Sequence, residues 1–204
     1  MKSRLVALLV ALFAISMFFV GRTYSDDKKM SEEEAKMMAE YTKWATPDER
    51  HKALDPMVGN WELKTKSRMD PTAQFEESNG VSEVKWILGN RYLQENASGD
   101  MGGMQFQGMG ITGYDKIRNR YFNIWTDNMS TGHMASEGQM DSSGKTLTLV
   151  GSYPDVMKDM KETRARMVTK FLSNDQHTFE MYMQDDSGQE YKCTEITYTR
   201  KKQM

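Results

Sequence analysis

Cysteine is almost missing from this sequence. Cys193 is the single one, so no internal disulfide can form and stability has to come from a packed core. Catalytic signatures are missing as well. There is no Gly-x-Ser-x-Gly elbow, and Cys193 has no histidine near it in sequence, which leaves nucleophilic catalysis without support. The Gly102-Gly103 pair lacks the strand, Lys and Ser/Thr surroundings of a phosphate-cradling loop. Cys-x-x-Cys and His-x-His spacings are absent, so no zinc site is signalled. Nor is there a long basic stretch, with 27 Lys and Arg set against 29 Asp and Glu. Nucleic acid is therefore not an expected partner, because neutralising phosphates takes clustered positive charge.

One long apolar run exists, from Leu5 to Val20 behind Lys2 and Arg4, and Thr23 and Ser25 precede the acidic pair Asp26-Asp27. A positive start, an apolar centre and small residues before a cleavage point predict a signal peptide over residues 1–25 and an exported, periplasmic or secreted protein. The run is shorter than the ~20 residues of a spanning helix, so no membrane span is expected after cleavage. No cysteine near Ser25 offers a lipid anchor. Removal of Lys2, Arg4 and Arg22 would leave 24 basic residues against 29 acidic ones.

Residues 26–54 read as a polar helical arm. Ser31 with Glu34 matches a capping box, and Met37, Tyr41 and Trp44 share one helical face, either docked on the body or lying over a cavity as a lid. Thr46-Pro47 reads as the cap and first residue of a second short helix. From Met57 the period changes to two. Trp61, Leu63 and Thr65 alternate with Glu62, Lys64 and Lys66, and Phe179, Met181 and Met183 alternate with Glu180 and Tyr182. Gly89-Asn90, Asp141 to Gly144, Ser173 to Asp175 and Asp185 to Gly188 supply turns between such runs. About ten strands at hairpin spacing over residues 55–201 predict an all-β antiparallel meander. It should close into an up-and-down barrel, or else fold into a two-sheet sandwich, to remove its edges. Gly102, Gly103, Gly108, Gly110 and Gly113 crowd one segment, where barrel corners need bends or close backbone approach.

An ordered set of short strings runs through this region. It includes Val58-Gly59-Asn60-Trp61, Leu88-Gly89-Asn90-Arg91-Tyr92-Leu93, Phe106-Gln107-Gly108-Met109-Gly110, Gly113-Tyr114-Asp115, Trp125-Thr126-Asp127 and Tyr198-Thr199-Arg200. In order and spacing the set resembles the bacterial family catalogued as domain of unknown function 1579, over about residues 48–201. The resemblance implies a calycin-like (lipocalin-like) barrel, sometimes exported, and no activity. Gly89-Asn90 replaces a more usual Gly-Gly, and Asn60 stands where Thr is common.

Aromatic residues on the strands suggest a lumen that holds a small, largely apolar ligand. Candidate residues are Trp61, Trp86, Arg91, Trp125, Asp127, His133 and Tyr182, although both faces of several strands carry aromatics and the inward face is not readable. Arg91 and Glu95 share a strand face, where they could meet a ligand or pair across strands. Asp127, His133 and Glu137 lie close in sequence and offer an acid–base set, the basis of an enzyme alternative. A filled barrel serving as a structural or interaction protein of the cell envelope is the other alternative. The many methionines, among them Met101, Met104, Met109, Met157 and Met160, could ligate Cu(I), but their even spread fits core filling better. No cofactor is assigned.

Overall fold

The computed structural model describes residues 30–155 and 161–202. The expected signal peptide over 1–25, the first residues of the arm, and Met157 with Met160 lie outside the described residues. Helix α1 spans Glu32–Ala45. Its capping box forms as the spacing predicts: the Glu34 amide donates to the Ser31 hydroxyl at 3.2 Å, and the Ser31 amide donates to the Glu34 carboxylate at 2.8 Å. No residue of α1 is buried, so its Met37 and Tyr41 stripe is exposed. Helix α2 spans Glu49–Lys52 and is capped by Asp48, not by Thr46. The Asp48 carboxylate accepts from the Arg50 amide at 3.1 Å while His51 Nδ1 accepts from the Asp48 amide at 3.1 Å. A carboxylate one residue beyond Pro47 reaches the free amides better than the Thr46 hydroxyl, which displaces the start of the helix.

Ten strands follow: β1 (Gly59–Ser67), β2 (Glu76–Ile87), β3 (Tyr92–Met101), β4 (Met104–Asp115), β5 (Arg120–Asp127), β6 (Met134–Met140), β7 (Thr146–Asp155), β8 (Lys161–Ser173), β9 (Gln176–Gln184) and β10 (Glu190–Arg200). Each pairs antiparallel with the next. β1 also pairs with β10, from Trp61 opposite Arg200 to Ser67 opposite Thr194, and so the sheet closes. Closure, not a sandwich, removes the edges. Sharp coiling relies on glycine: a Cβ on Gly138 would collide with the Thr148 carbonyl, and one on Gly151 with the Ala135 carbonyl. The chain turns from β2 to β3 through Leu88, Gly89 and Asn90, which have φ of 50°, 66° and 61°. Asn and Gly tolerate that region well.

The part of the core that closes one end of the barrel, where α2 and the turn Asp55–Met57 sit, includes Leu54, Trp61, Val84, Leu93, Tyr114 and Tyr121. Trp61 is fully buried there, donating from Nε1 to the Met57 carbonyl at 2.9 Å. The Arg200 guanidinium lies 4.2 Å above its ring and donates to the Val58 carbonyl at 2.7 Å. Tyr121 donates to the Arg50 carbonyl at 2.9 Å, and Arg50 donates to the Tyr114 hydroxyl at 2.8 Å. These bonds tie α2 across the barrel end, while buried Leu54 fills the space beneath it.

Candidate functional site

Above this plug the barrel is hollow. A cavity of about 300 Å³ opens toward the other end, a volume within the range of small-molecule pockets. Its apolar wall comes from inward positions on many strands, among them Leu63, Leu147, Leu149, Met167, Phe179 and Met181. Methionine gives that wall flexible side chains that can reshape around a guest. Toward the mouth the small residues Ser67, Ser78, Gly80, Ala97 and Gly99 leave room.

Trp125 is the large ring in this part of the lumen. It lies over Gly108 and Gly110 of the neighbouring strand: a Cβ on Gly110 would stand 3.0 Å from its Cε3, and one on Gly108 would collide with its ring. Phe106 stacks at 6.5 Å between centroids, and Asp127 accepts from Trp125 Nε1 at 3.0 Å. The glycine-rich segment is thus a seat for an indole.

The floor of the cavity is polar. Glu95 accepts from the Ser82 hydroxyl at 2.7 Å and the Tyr198 hydroxyl at 3.2 Å, both on Oε1. Burial raises the Glu95 pKa above the usual carboxylic range, against the pull of those two hydrogen bonds. Burial beside that carboxyl also holds the Tyr198 phenol well above its ordinary value. His177 stacks on Tyr198 at 4.2 Å and meets the edge of Trp61 at 4.5 Å. It is 2% exposed, and burial, aided by the Arg200 charge, lowers its pKa to about 4. The ring is therefore neutral at pH 7, and its Nδ1 is buried without a hydrogen-bond partner among the described residues. Nearby, Asn123 donates to Thr112 Oγ1 at 2.9 Å.

The sequence candidates scatter across this architecture. Trp125 lines the cavity. Trp61 belongs to the plug, and Trp86 donates to Asp55 Oδ1 at 2.8 Å at the same end. Arg91 does not enter the lumen: it falls in the turn before β3 and donates to the carbonyls of Leu88 at 3.0 Å and Gly89 at 3.2 Å. It makes no pair with Glu95, because the strand begins one residue too late to keep the two in phase. Tyr182 lies on the outer face with Glu180, under Arg166 at 4.0 Å, since β9 turns Phe179 and Met181 inward instead. His133 is exposed in the loop before β6. Glu137 is held by Arg120 at 2.7 Å on the outer surface, and Asp127 is taken by Trp125 and the Met129 amide. These three do not converge, and no metal-holding group of three or more His, Cys, Asp or Glu exists among the described residues. Cys193 is buried in β10, where loss of water raises its thiol pKa.

Glu95, His177 and Tyr198 were the residues that sequence reasoning passed over as a group. Their signal was phase: Glu95 shares its strand face with Leu93 and Ala97, and His177 shares its face with Phe179 and Met181. A polar residue in register with apolar neighbours marks a polar spot inside the lumen.

A family model described as "Protein of unknown function (DUF1579)" matches residues 46–200. No curated protein matches the sequence. Among solved structures, the chain is similar to the S-type phycobiliprotein lyase CPES from Guillardia theta, at 14% identity over 76% of this chain and 94% of that one, with a TM-score of 0.54. It is also similar to Rv2717c from M. tuberculosis, at 14% identity over 77% of this chain and the whole of that one, with a TM-score of 0.57. At such identity the likeness is one of fold.

Proposed function

Because the chain belongs to the family described as Protein of unknown function (DUF1579), whose name carries no activity, we propose a function from its own lumen: it binds a small, largely apolar molecule inside the barrel. The observation that carries this reading is the open cavity of about 300 Å³, walled by leucine, methionine and phenylalanine and flanked by Trp125. Burying an apolar guest against such a wall contributes roughly 25 cal/mol per Å² removed from water. A barrel serving only as a structural element would gain more from filling this space, since unfilled apolar volume costs stability. Structural relatives of the same fold include a lyase for phycobiliproteins, which is in keeping with a guest-holding barrel. Residues 1–25 would act as an export signal, which N-terminal sequencing of protein taken from its host's periplasm would check.

Titration with the neutral dye N-phenyl-naphthylamine, read by dye fluorescence, tests the lumen. Saturable binding at one site is expected, and Ala97→Leu, which places bulk in the cavity, should remove it. Binding that never saturates, or that survives Ala97→Leu unchanged, would place any dye site outside the barrel.

A further inference from the structure

We propose that the floor of the lumen is a head-group site, which takes an apolar molecule ending in a hydrogen-bond donor, an amine or an alcohol, and turns carboxylates away. The inference rests on the lumen-binding reading and adds which end group is accepted.

Three observations point the same way. First, Glu95 lines the cavity, yet both protein hydrogen bonds to its carboxyl fall on Oε1. Oε2 has no protein partner among the described residues, so an acceptor is presented to whatever reaches the floor. Second, among the described residues the cavity wall holds Glu95 and Asp100 and neither lysine nor arginine. Arg200, a cation at the closed end that lies against Trp61, is turned to the Val58 and Asn174 carbonyls and to the Trp61 ring. Third, His177 cannot supply the missing positive charge at neutral pH, because burial keeps its ring uncharged. Its Nδ1 is one more polar group at the floor, with no hydrogen-bond partner among the described residues.

The consequence is a matter of charge and hydrogen bonding. A carboxylate pushed to this floor would lose its water, meet another carboxyl, and find no cation. An alcohol would donate to Oε2. A protonated amine would do the same with charge assistance, the stronger form of the bond. Tyr198 and Ser82 fix the carboxyl from behind, and Tyr198 is itself held by its stack on His177, so the acceptor is aimed before the guest arrives.

Calorimetric titration of the purified protein near neutral pH with octylamine, octanol and octanoate decides the matter. The three share one chain, and their bulk suits the cavity, which has room for about ten water-sized volumes. The amine and the alcohol are expected to bind about tenfold or more tightly than octanoate. Glu95→Gln, which keeps the side-chain shape and its acceptor oxygen, should bring octanoate to within about threefold of octanol. Octanoate binding as well as the other two in the unaltered protein would overturn the head-group site while leaving the lumen reading intact. Discrimination that persists in Glu95→Gln would overturn Glu95 as its origin. Failure of all three to bind would overturn the lumen reading itself. Should Glu95→Gln not fold, the three ligands on the unaltered protein still separate a floor that rejects carboxylates from one that does not.

Discussion

The same three strands behave oppositely at their two ends. Toward α2, the inward positions of β1, β2 and β3 hold Trp61, Val84 with Trp86, and Leu93; toward the mouth they hold Ser67, Ser78 with Gly80, and Ala97 with Gly99. Side-chain volume separates plug from pocket along these strands. The plug is where stability is concentrated, with rings packed on rings and their polar atoms bonded to α2. The mouth gives up that stabilisation and gains an accessible cavity.

That contrast can be broken, and the hardest blow falls at the plug. Trp61→Ala removes a fully buried ring that packs on His177 and Tyr198. It is expected to lower stability by about 3–5 kcal/mol in urea denaturation. A loss below about 1 kcal/mol would mean that the closed end is not the stabilising half. His177 comes next, through pH. Its folded pKa of about 4 lies below the ordinary 6.5, so the unfolded chain takes up the proton first. The contribution of the neutral ring is complete above about pH 6.5 and fades as pH falls toward 4, by about 3 kcal/mol. His177→Phe abolishes that titration. The stability advantage of the unaltered protein over the variant should therefore shrink between pH 7 and pH 4, and a constant difference would contradict the buried neutral ring.

At the mouth the effects on stability are smaller and those on binding larger. Ala97→Leu should change stability by about 1 kcal/mol or less, while abolishing dye binding, because it occupies space that nothing else uses. Smallest of all is the outer wall. Tyr182→Phe deletes the hydroxyl that donates to Glu180 at 3.2 Å. It should lower stability only slightly, by about 1 kcal/mol or less in urea denaturation, with no change in dye affinity. A change in affinity there would show that the outer face of β9 communicates with the interior.

The ten-strand meander was legible because its code is local: alternation along Trp61 to Thr65 or Phe179 to Met183, and turn residues such as Asp141 to Gly144, each need only neighbours in sequence. Orientation was not, because the choice of inner face is made by the closed sheet. Tyr182 and Met181 are equally plausible inward residues until the pairing with β8 and β10 is known. The phase also breaks inside β10: the register shifts between Lys192 and Thr194, at buried Cys193. Tyr198 cannot then be assigned a face by counting from Tyr191. Glu95 was read beside Arg91 because residues four apart share a face on a strand. The turn through Leu88 to Asn90 takes Arg91 out of that strand. Thr46 lost the cap of α2 to Asp48 for a similar reason, a competition between two side chains that spacing alone does not rank.

The seam between the first strand and the last has a consequence in time. Trp61 meets Arg200 across that seam and rests against Tyr198, so the earliest large ring of the barrel waits for some of the latest residues to be synthesised. Until they emerge from the ribosome, a nascent chain carries an unsealed apolar wall that a holdase can cover. Completion of the seam is the event that shelters it, and the long loop this closes makes for slow folding.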